Sequence, residues 1–302
     1  MQTWRSGDTS PNIDAWSEDA VVGPRVAVAR RIRGNTSVHA GWGRVSQFQR
    51  IADLRVQDGE EEFRPPQRAE HRVAGVAHVF GAGVRLQLDA YQKRLDDMHP
   101  RYRNLDGDVD FFPEIEGDRA RIDPNEGVSK GIEAVLTRDT TDAVSWWLSY
   151  AYSFAEDEVN GVTTPRDFDQ RHAFSADISL RPDDRWRYDV AWQFRTGRPY
   201  TPELFEWITT TNGRRGVREA LPAVNSARLP AYHRLDIRVH RYFVRDGGLL
   251  AIYAEVRNVY NRDNVRRYDV NGYSRQGEEL VPRRTPITWL PILPSVGLRW
   301  DF

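Results

Sequence analysis

Apolar and polar side chains alternate along most of the chain. In the clearest stretch the apolar residues are Leu235, Ile237 and Val239, and the residues between them are Asp236 and Arg238. A period of two residues places the apolar set on one face of a β-strand and the polar set on the other. Helical periodicity is almost absent, so the pattern predicts an all-β protein whose strands have two different faces.

Eleven segments show this alternation, and their connections are short and long in turn. The predicted strands are residues 24–32, 36–48, 70–80, 83–96, 128–139, 143–155, 170–181, 185–197, 231–243, 249–259 and 293–302. In an antiparallel up-and-down sheet, strict alternation of tight turns and long loops places every long loop at the same end. Outer-membrane barrels have short periplasmic turns and long extracellular loops. The spacing therefore predicts a transmembrane up-and-down β-barrel sheet.

A soluble β-sandwich is the alternative that these strands leave open. A sandwich buries its apolar rows between two sheets, and its loops vary in length at both ends. Five long loops on one side would be a coincidence in that fold. The rows opposite the apolar ones also mix both signs of charge, for example Glu255 with Arg257. Such a row suits a wet or plugged lumen, so we favour the barrel, with its apolar rows facing lipid.

Composition narrows the partners and the chemistry. Charged residues make up 29% of the chain, yet its formal net charge is only −1. We therefore expect no nucleic-acid partner, because duplex binding needs a basic surface. The absence of cysteine excludes disulfides, thiolate zinc sites and cysteine nucleophiles. No segment has the ~20 apolar residues of a spanning helix, and residues 1–5 predict no signal peptide.

Motifs for catalysis or metal binding fail on inspection. His233 and His240 are seven residues apart, so on one strand they face opposite sides and cannot share a site; the same holds for His71 and His78. Gly81–Gly83 begins like a dinucleotide-binding turn, but a strand follows it, and we interpret it as a hairpin. We find no nucleophile elbow and no paired carboxylates. We expect no enzyme, no cofactor and no catalytic or metal residues.

Three loop features leave the substrate-binding residues unknown. Asp106, Asp108 and Asp110 resemble the start of a calcium loop, but the required glycine and glutamate are absent; a looser calcium site and a solvated acidic loop both stay open. Residues 211–218 (TNGRRGVR) suggest an anionic ligand, since arginine pairs well with carboxylate and phosphate. Such a segment is also typical of a solvated or lipopolysaccharide-bound loop. The rings of Tyr102, Trp207 and Trp289 are candidates for stacking on a ligand or for loop packing.

Short motifs carry a family resemblance. The chain ends in Leu298, Trp300 and the terminal Phe302, an alternating pattern that resembles the assembly signal of bacterial outer-membrane proteins. Further motifs are RTGRPYTP (195–202), LPAYHRLDIRV (229–239), EVRNVYN (255–261), PSVGL (294–298), GPRV (23–26) and AGWG (40–43). Together they resemble the barrel of TonB-dependent receptors over nearly the whole chain. The resemblance is cumulative, because no single motif carries it.

The resemblance implies an active importer of the bacterial outer membrane, with 22 strands closed around an N-terminal plug that contacts TonB. Typical substrates are ferric siderophores, cobalamin or glycans. We expect residues 24–302 to be the C-terminal half of such a barrel, inactive alone, and residues 1–23 to be the remnant of an extracellular loop. On this interpretation we expect the plug and the TonB-contacting segment to be missing from this sequence. The alternative is half of a non-transport barrel, a porin or an adhesin.

The resemblance also implies the partners. We expect contact with outer-membrane lipid and lipopolysaccharide, because the apolar rows face the bilayer. The outer-membrane assembly machinery would recognise the C-terminal strand that ends at Phe302. TonB would act only through the missing plug.

Overall fold

The long strands form one antiparallel sheet whose spatial order is the chain order. The computed structural model describes residues 21–104, 119–138, 143–220, 222–245 and 247–302. The eleven strands are β1 (Arg25–Arg33), β2 (Thr36–Gln47), β3 (Gln67–Val79), β4 (Val84–Asp96), β5 (Pro124–Arg138), β6 (Val144–Val159), β7 (His172–Asp183), β8 (Trp186–Arg195), β9 (Tyr232–Arg245), β10 (Gly248–Arg257) and β11 (Leu293–Asp301). The predicted eleven-stranded up-and-down sheet is confirmed.

Five long connections lie at one end of the sheet, which we call the long-loop end; the opposite end is the short-turn end. They are loop 1 (48–66), loop 2 (97–123), loop 3 (160–171), loop 4 (196–231) and loop 5 (258–292). The predicted alternation of short and long connections is therefore confirmed. The prediction for residues 1–23 falls largely on residues 1–20, and Asp106, Asp108 and Asp110 fall in 105–118; both segments lie outside the described residues.

The loops contain short strands of their own. They pair as Arg101–Asn104 with Arg119–Ile122, Val162–Pro165 with the end of β6, Pro199–Tyr200 with Ala227–Arg228, Leu204–Thr209 with Arg215–Ala220, and Val265–Gln276 with Glu279–Thr288. Single turns of 3-10 helix occur at Ile51–Asp53, Val56–Asp58 and Gly81–Gly83. The last of these joins β3 to β4 and confirms the predicted hairpin. No helix among the residues that the structure describes is both long and apolar enough to cross a membrane.

One face of the sheet, the apolar face, carries a continuous band of hydrophobic side chains. Register aligns the apolar residues of neighbouring strands: Leu148 of β6 lies opposite Ala176 of β7, and Ala176 lies opposite Trp192 of β8. Among the described residues no second layer packs over this face, so its side chains stay accessible; Val296 is 81% and Leu298 73% exposed. Exposed apolar surface that continues over so many strands marks an interaction with lipid or protein.

The opposite face, the polar face, is lined by ion pairs between neighbouring strands and within them. Arg238 of β9 donates to Glu255 of β10 at 3.0 Å, and Arg187 of β8 donates to Asp189 at 2.8 Å. Register also separates the two histidines of β9, because His233 lies opposite Phe194 on the apolar face and His240 opposite Arg187 on the polar face. The prediction that these histidines cannot share a site is confirmed.

Candidate functional site

The candidate site is the long-loop end of the polar face, where β8, β9 and β10 lead into the two largest loops. At this end the charged rows of the three strands continue into loops 4 and 5. Sequence reasoning left the substrate-binding residues unknown. The structure shows instead how buried polar groups hold the bases of these loops in place.

Asp169 joins loop 3 and loop 4 to the sheet. Its fully buried carboxylate accepts a hydrogen bond from the backbone N–H of Ala155 in β6 at 2.7 Å. The same carboxylate pairs with Arg228 of loop 4 and lies 3.4 Å from Nε of Arg171. A buried carboxylate is stable only when its oxygens are paired or hydrogen-bonded. Asp169 therefore fixes the positions of three segments at once.

Asp157 has the same role between loops 2 and 3. Its buried carboxylate accepts a hydrogen bond from Nε of Arg166 at 2.6 Å and also pairs with Arg101. Loop 1 is tied to loop 2 in turn, because Nη2 of Arg119 lies 2.6 Å from Asp58. Neighbouring long loops are thus cross-linked by arginine–carboxylate pairs at their bases.

Two of the sequence motifs meet at the start of loop 4. Gly197, in the 195–202 motif, approaches Leu229, in the 229–239 motif, so closely that a Cβ at Gly197 would overlap the Leu229 carbonyl oxygen. The N–H of Leu229 donates to the carbonyl of Arg198 at 2.9 Å. Nη1 of Arg228 adds a bond to the carbonyl of Gly197 at 3.1 Å. Glycine is required here because the two backbones are in contact.

The 255–261 motif builds the base of loop 5 from buried amides. Asn258 has a left-handed backbone (φ 54°), which asparagine tolerates better than most residues. Its N–H donates to Oδ1 of Asp236 at 2.9 Å, and its Oδ1 accepts from the N–H of Arg262 at 3.1 Å. The buried Asn264 pairs with both backbone groups of His233, at 3.0 and 2.9 Å. Loop 5 thereby leaves and rejoins the sheet at fixed points.

Loops 4 and 5 pack against each other, and we call the two together the loop 4–5 unit. Nε1 of Trp207 donates to the carbonyl of Glu278 at 2.7 Å. The guanidinium of Arg215 lies 3.9 Å from the centroid of the Trp207 ring and pairs with the Glu278 carboxylate. That hydrogen bond from Arg215 holds the pKa of Glu278 below its ordinary value. Nearer the sheet, the rings of Tyr200 and Tyr268 lie 5.6 Å apart, and burial raises the pKa of Tyr200.

The three aromatic rings that sequence reasoning singled out contact arginines of the loops. Trp207 stacks with Arg215, the Tyr102 ring lies 5.9 Å from Arg121, and the Trp289 ring lies 5.1 Å from Arg266. Of the two readings that were left open for these rings, loop packing describes their position in this structure.

The arginine-rich segment 211–218 forms the tip and second strand of the loop 4 hairpin. Two of its arginines pair with loop carboxylates: Arg215 with Glu278, and Arg218 with Glu206. Within the ranges that the structure describes, no three histidine, aspartate or glutamate side chains come together as a metal site. The second strand of the loop 4 hairpin therefore carries arginines that are paired with loop carboxylates.

Comparisons with known proteins extend these observations. The family model "TonB dependent receptor-like, beta-barrel" matches residues 3–259. No curated protein matches the chain.

Solved structures with the same fold include three receptors and transporters. The ferripyoverdine receptor of the outer membrane of Pseudomonas aeruginosa is 13% identical, with a TM-score of 0.56 over 93% of this chain and 33% of its own. The ferric citrate transporter FecA is 15% identical, with a TM-score of 0.55 over 92% and 38%. The FrpB iron transporter from Neisseria meningitidis is 11% identical, with a TM-score of 0.53 over 91% and 38%. The chain thus spans little more than a third of the length of these structures.

Proposed function

Because the chain belongs to the β-barrel family of TonB-dependent receptors, we propose that it forms part of the barrel of an outer-membrane importer of ferric chelates. The observation that carries the proposal is the two-faced sheet: one continuous apolar face, one ion-paired polar face, and five long loops at a single end. In an outer-membrane barrel of this family, the apolar face contacts lipid, the polar face lines the lumen, and the long loops are extracellular.

The open edges of the sheet support a role as part of a larger barrel. Within the described residues β1 pairs only with β2, and β11 pairs only with β10. Both edge strands run from the long-loop end to the short-turn end, so pairing β1 directly with β11 would be parallel. An unpaired edge in lipid costs several kcal/mol for each unsatisfied backbone group. A partner sheet whose two edge strands run the opposite way would complete an antiparallel barrel, and we propose that the remainder of a receptor supplies it.

The loop 4–5 unit supports an anionic ferric chelate as the substrate class. Loops 4 and 5 together contain eleven arginines and seven carboxylate side chains, whereas the whole chain has a net charge of −1. This local excess of arginine lies at the extracellular mouth of the lumen, where it attracts an anion and can bind carboxylate oxygens in pairs. The three structural relatives described above are an iron transporter, a ferric citrate transporter and a ferripyoverdine receptor.

The test is uptake of radioactive iron in cells that lack siderophore receptors. One strain expresses the 302-residue chain alone, and a second expresses a chimera in which these strands replace the last eleven strands of the ferric citrate transporter. Heat-modifiable migration on a gel confirms that the barrel has assembled. We expect the chimera to import a ferric chelate only when TonB is present, and the chain alone to import none.

Variants of the loop 4–5 unit refine the test. In the chimera, replacing Arg215 and Arg218 by glutamine should raise the chelate concentration that gives half-maximal uptake. The matched control replaces Arg50 of loop 1, whose exposed side chain pairs with Asp53. An assembled chimera that passes small sugars without TonB would identify a porin instead, and uptake by the chain alone would show that it is a complete transporter.

A further inference from the structure

Arg241 is a cation on the lipid-facing row of β9. It lies opposite Trp186 of β8 and Ile252 of β10, both on the apolar face. Its guanidinium lies 4.5 Å from the Trp186 ring centroid and 5.4 Å from that of Phe243. In the described part of the chain no carboxylate forms an ion pair with Arg241. Among these residues its guanidinium contacts aromatic rings and no counter-ion.

Several arginines on the same strand or on the same face are paired. On the polar face, Arg238 lies only three residues from Arg241 and pairs with Glu255 at 3.0 Å. On the lipid-facing row at the long-loop end, Arg44 pairs with Glu70 at 3.3 Å, and Arg94 pairs with Glu126 at 2.7 Å. Arg241 differs from these paired arginines, and it lies near the short-turn end of its row.

A second arginine repeats the arrangement at the same end. Arg138 is the last residue of β5 and lies opposite Trp146 on the apolar face. Its Nε is buried, and among the described residues it has no hydrogen-bond partner. A buried guanidinium N–H without an acceptor is costly. The described residues supply no oxygen acceptor for the Nε–H of Arg138.

The depth of Arg241 matches the edge of the bilayer. The strand continues for four residues to Arg245 before the short turn to β10. At about 3.3 Å per residue and a tilt of about 40°, four residues span about 10 Å of depth. An arginine side chain at that depth can extend to the headgroups, and tryptophan and phenylalanine rings are typical of the same interface. Short turns face the periplasm, so the adjacent lipid is that of the periplasmic leaflet.

We propose that Arg241 and Arg138 bind the headgroup phosphates of anionic phospholipids in the periplasmic leaflet. The guanidinium N–H groups donate to phosphate oxygens, and Trp186 and Phe243 hold the guanidinium of Arg241 at the interface by stacking. Basic residues close to a membrane surface attract anionic lipid headgroups. The proposal depends on the membrane orientation of the sheet and is independent of the substrate.

The test measures lipid selectivity of the chimera with the ferric citrate transporter, in which both edges of the sheet are paired. The chimera is folded from urea into phosphatidylcholine vesicles that contain phosphatidylglycerol, and protease protection confirms insertion. Tryptophan quenching by brominated phosphatidylglycerol, compared with brominated phosphatidylcholine, gives the relative affinity for the two lipids. We expect a preference for phosphatidylglycerol that falls about fivefold for each arginine replaced, R241Q or R138Q.

Control variants separate the site from general charge effects. Arg44 lies on the same row at the opposite end, and Arg238 lies on the polar face. Replacing either residue by glutamine should leave the preference for phosphatidylglycerol unchanged. If Arg241→Gln fails to insert, Arg241→Lys keeps the charge and should retain most of the preference. Equal quenching by the two lipids in the unmodified chimera would overturn the proposal. Loss of the preference when inorganic phosphate is added would assign the site to a free anion and would also overturn it.

Discussion

Replacing Asp169 by alanine tests whether one buried carboxylate holds the loop bases together. The change removes the acceptor of the Ala155 N–H, a buried hydrogen bond of 2.7 Å. An orphaned buried N–H costs about 1–3 kcal/mol. The change also removes the partner of Arg228 and Arg171, which are 34% and 24% exposed. Because both arginines reach solvent, we assign each lost pair about 0–1 kcal/mol.

The expected loss for Asp169→Ala is therefore about 1–5 kcal/mol. The retained bonds from Nη1 of Arg228 to the carbonyls of Asp169 and Gly197, at 2.9 and 3.1 Å, limit this loss. The assay is equilibrium unfolding in urea, followed by tryptophan fluorescence, with hydrogen exchange of the Ala155 amide as a local probe. Asp53→Ala is the matched control, since that exposed carboxylate pairs with Arg50 at the surface; it should show no measurable shift. A loss under about 1 kcal/mol, with the Ala155 amide still protected, would refute the reasoning.

Three further changes have distinct expected outcomes. In the same urea assay Gly197→Ala should destabilise the protein, because its Cβ would overlap the Leu229 carbonyl. Gly34→Ala should be neutral, because there is open space around Gly34. Equal effects of the two substitutions would contradict the close approach at Gly197. When folding into vesicles is measured, Leu148→Arg on the lipid-facing row should lower the folding free energy by about 2–4 kcal/mol, and Ser149→Arg on the polar face should lower it much less. The reverse order would mean that the two faces have been assigned the wrong way round. Because Arg215 lowers the pKa of Glu278, the contact between loops 4 and 5 should be complete at neutral pH and should loosen as pH falls through that lowered pKa. The distance between spin labels on the two hairpins should follow this course in the parent chain and lose its pH dependence in Glu278→Gln.

The strands and their faces were predictable from the sequence because alternation is a local property. Register then follows, since a slip of one residue would move an entire apolar row to the polar face. The ends of the strands were less predictable. The prediction ended β6 at residue 155, whereas β6 continues to Val159. Beyond residue 155 the strand is polar, and pairing with the loop strand Val162–Pro165 extends it.

The loop bases were not predictable, because their contacts join distant parts of the chain. Asp169 and Arg228 are 59 residues apart, and Asp157 and Arg101 are 56 apart. Nothing near Asp169 in the sequence distinguishes it from the solvated acidic residues of other loops. The motifs at 195–202, 229–239 and 255–261 carried the only available signal, and the structure shows their physical basis: a close backbone approach at Gly197 and a left-handed turn at Asn258.

Spin-label accessibility along β7 tests the transmembrane, two-faced sheet most directly. The chain contains no cysteine, so single cysteines can be introduced and labelled one at a time at positions 175–180 in the vesicle-inserted protein. Collision with oxygen, which concentrates in lipid, is compared with collision with a water-soluble nickel complex. We expect oxygen to dominate at Ala176, Ile178 and Leu180 and nickel at Ser175, Asp177 and Ser179. Accessibility that fails to alternate, or that alternates in the opposite phase, would contradict a sheet whose apolar face contacts lipid.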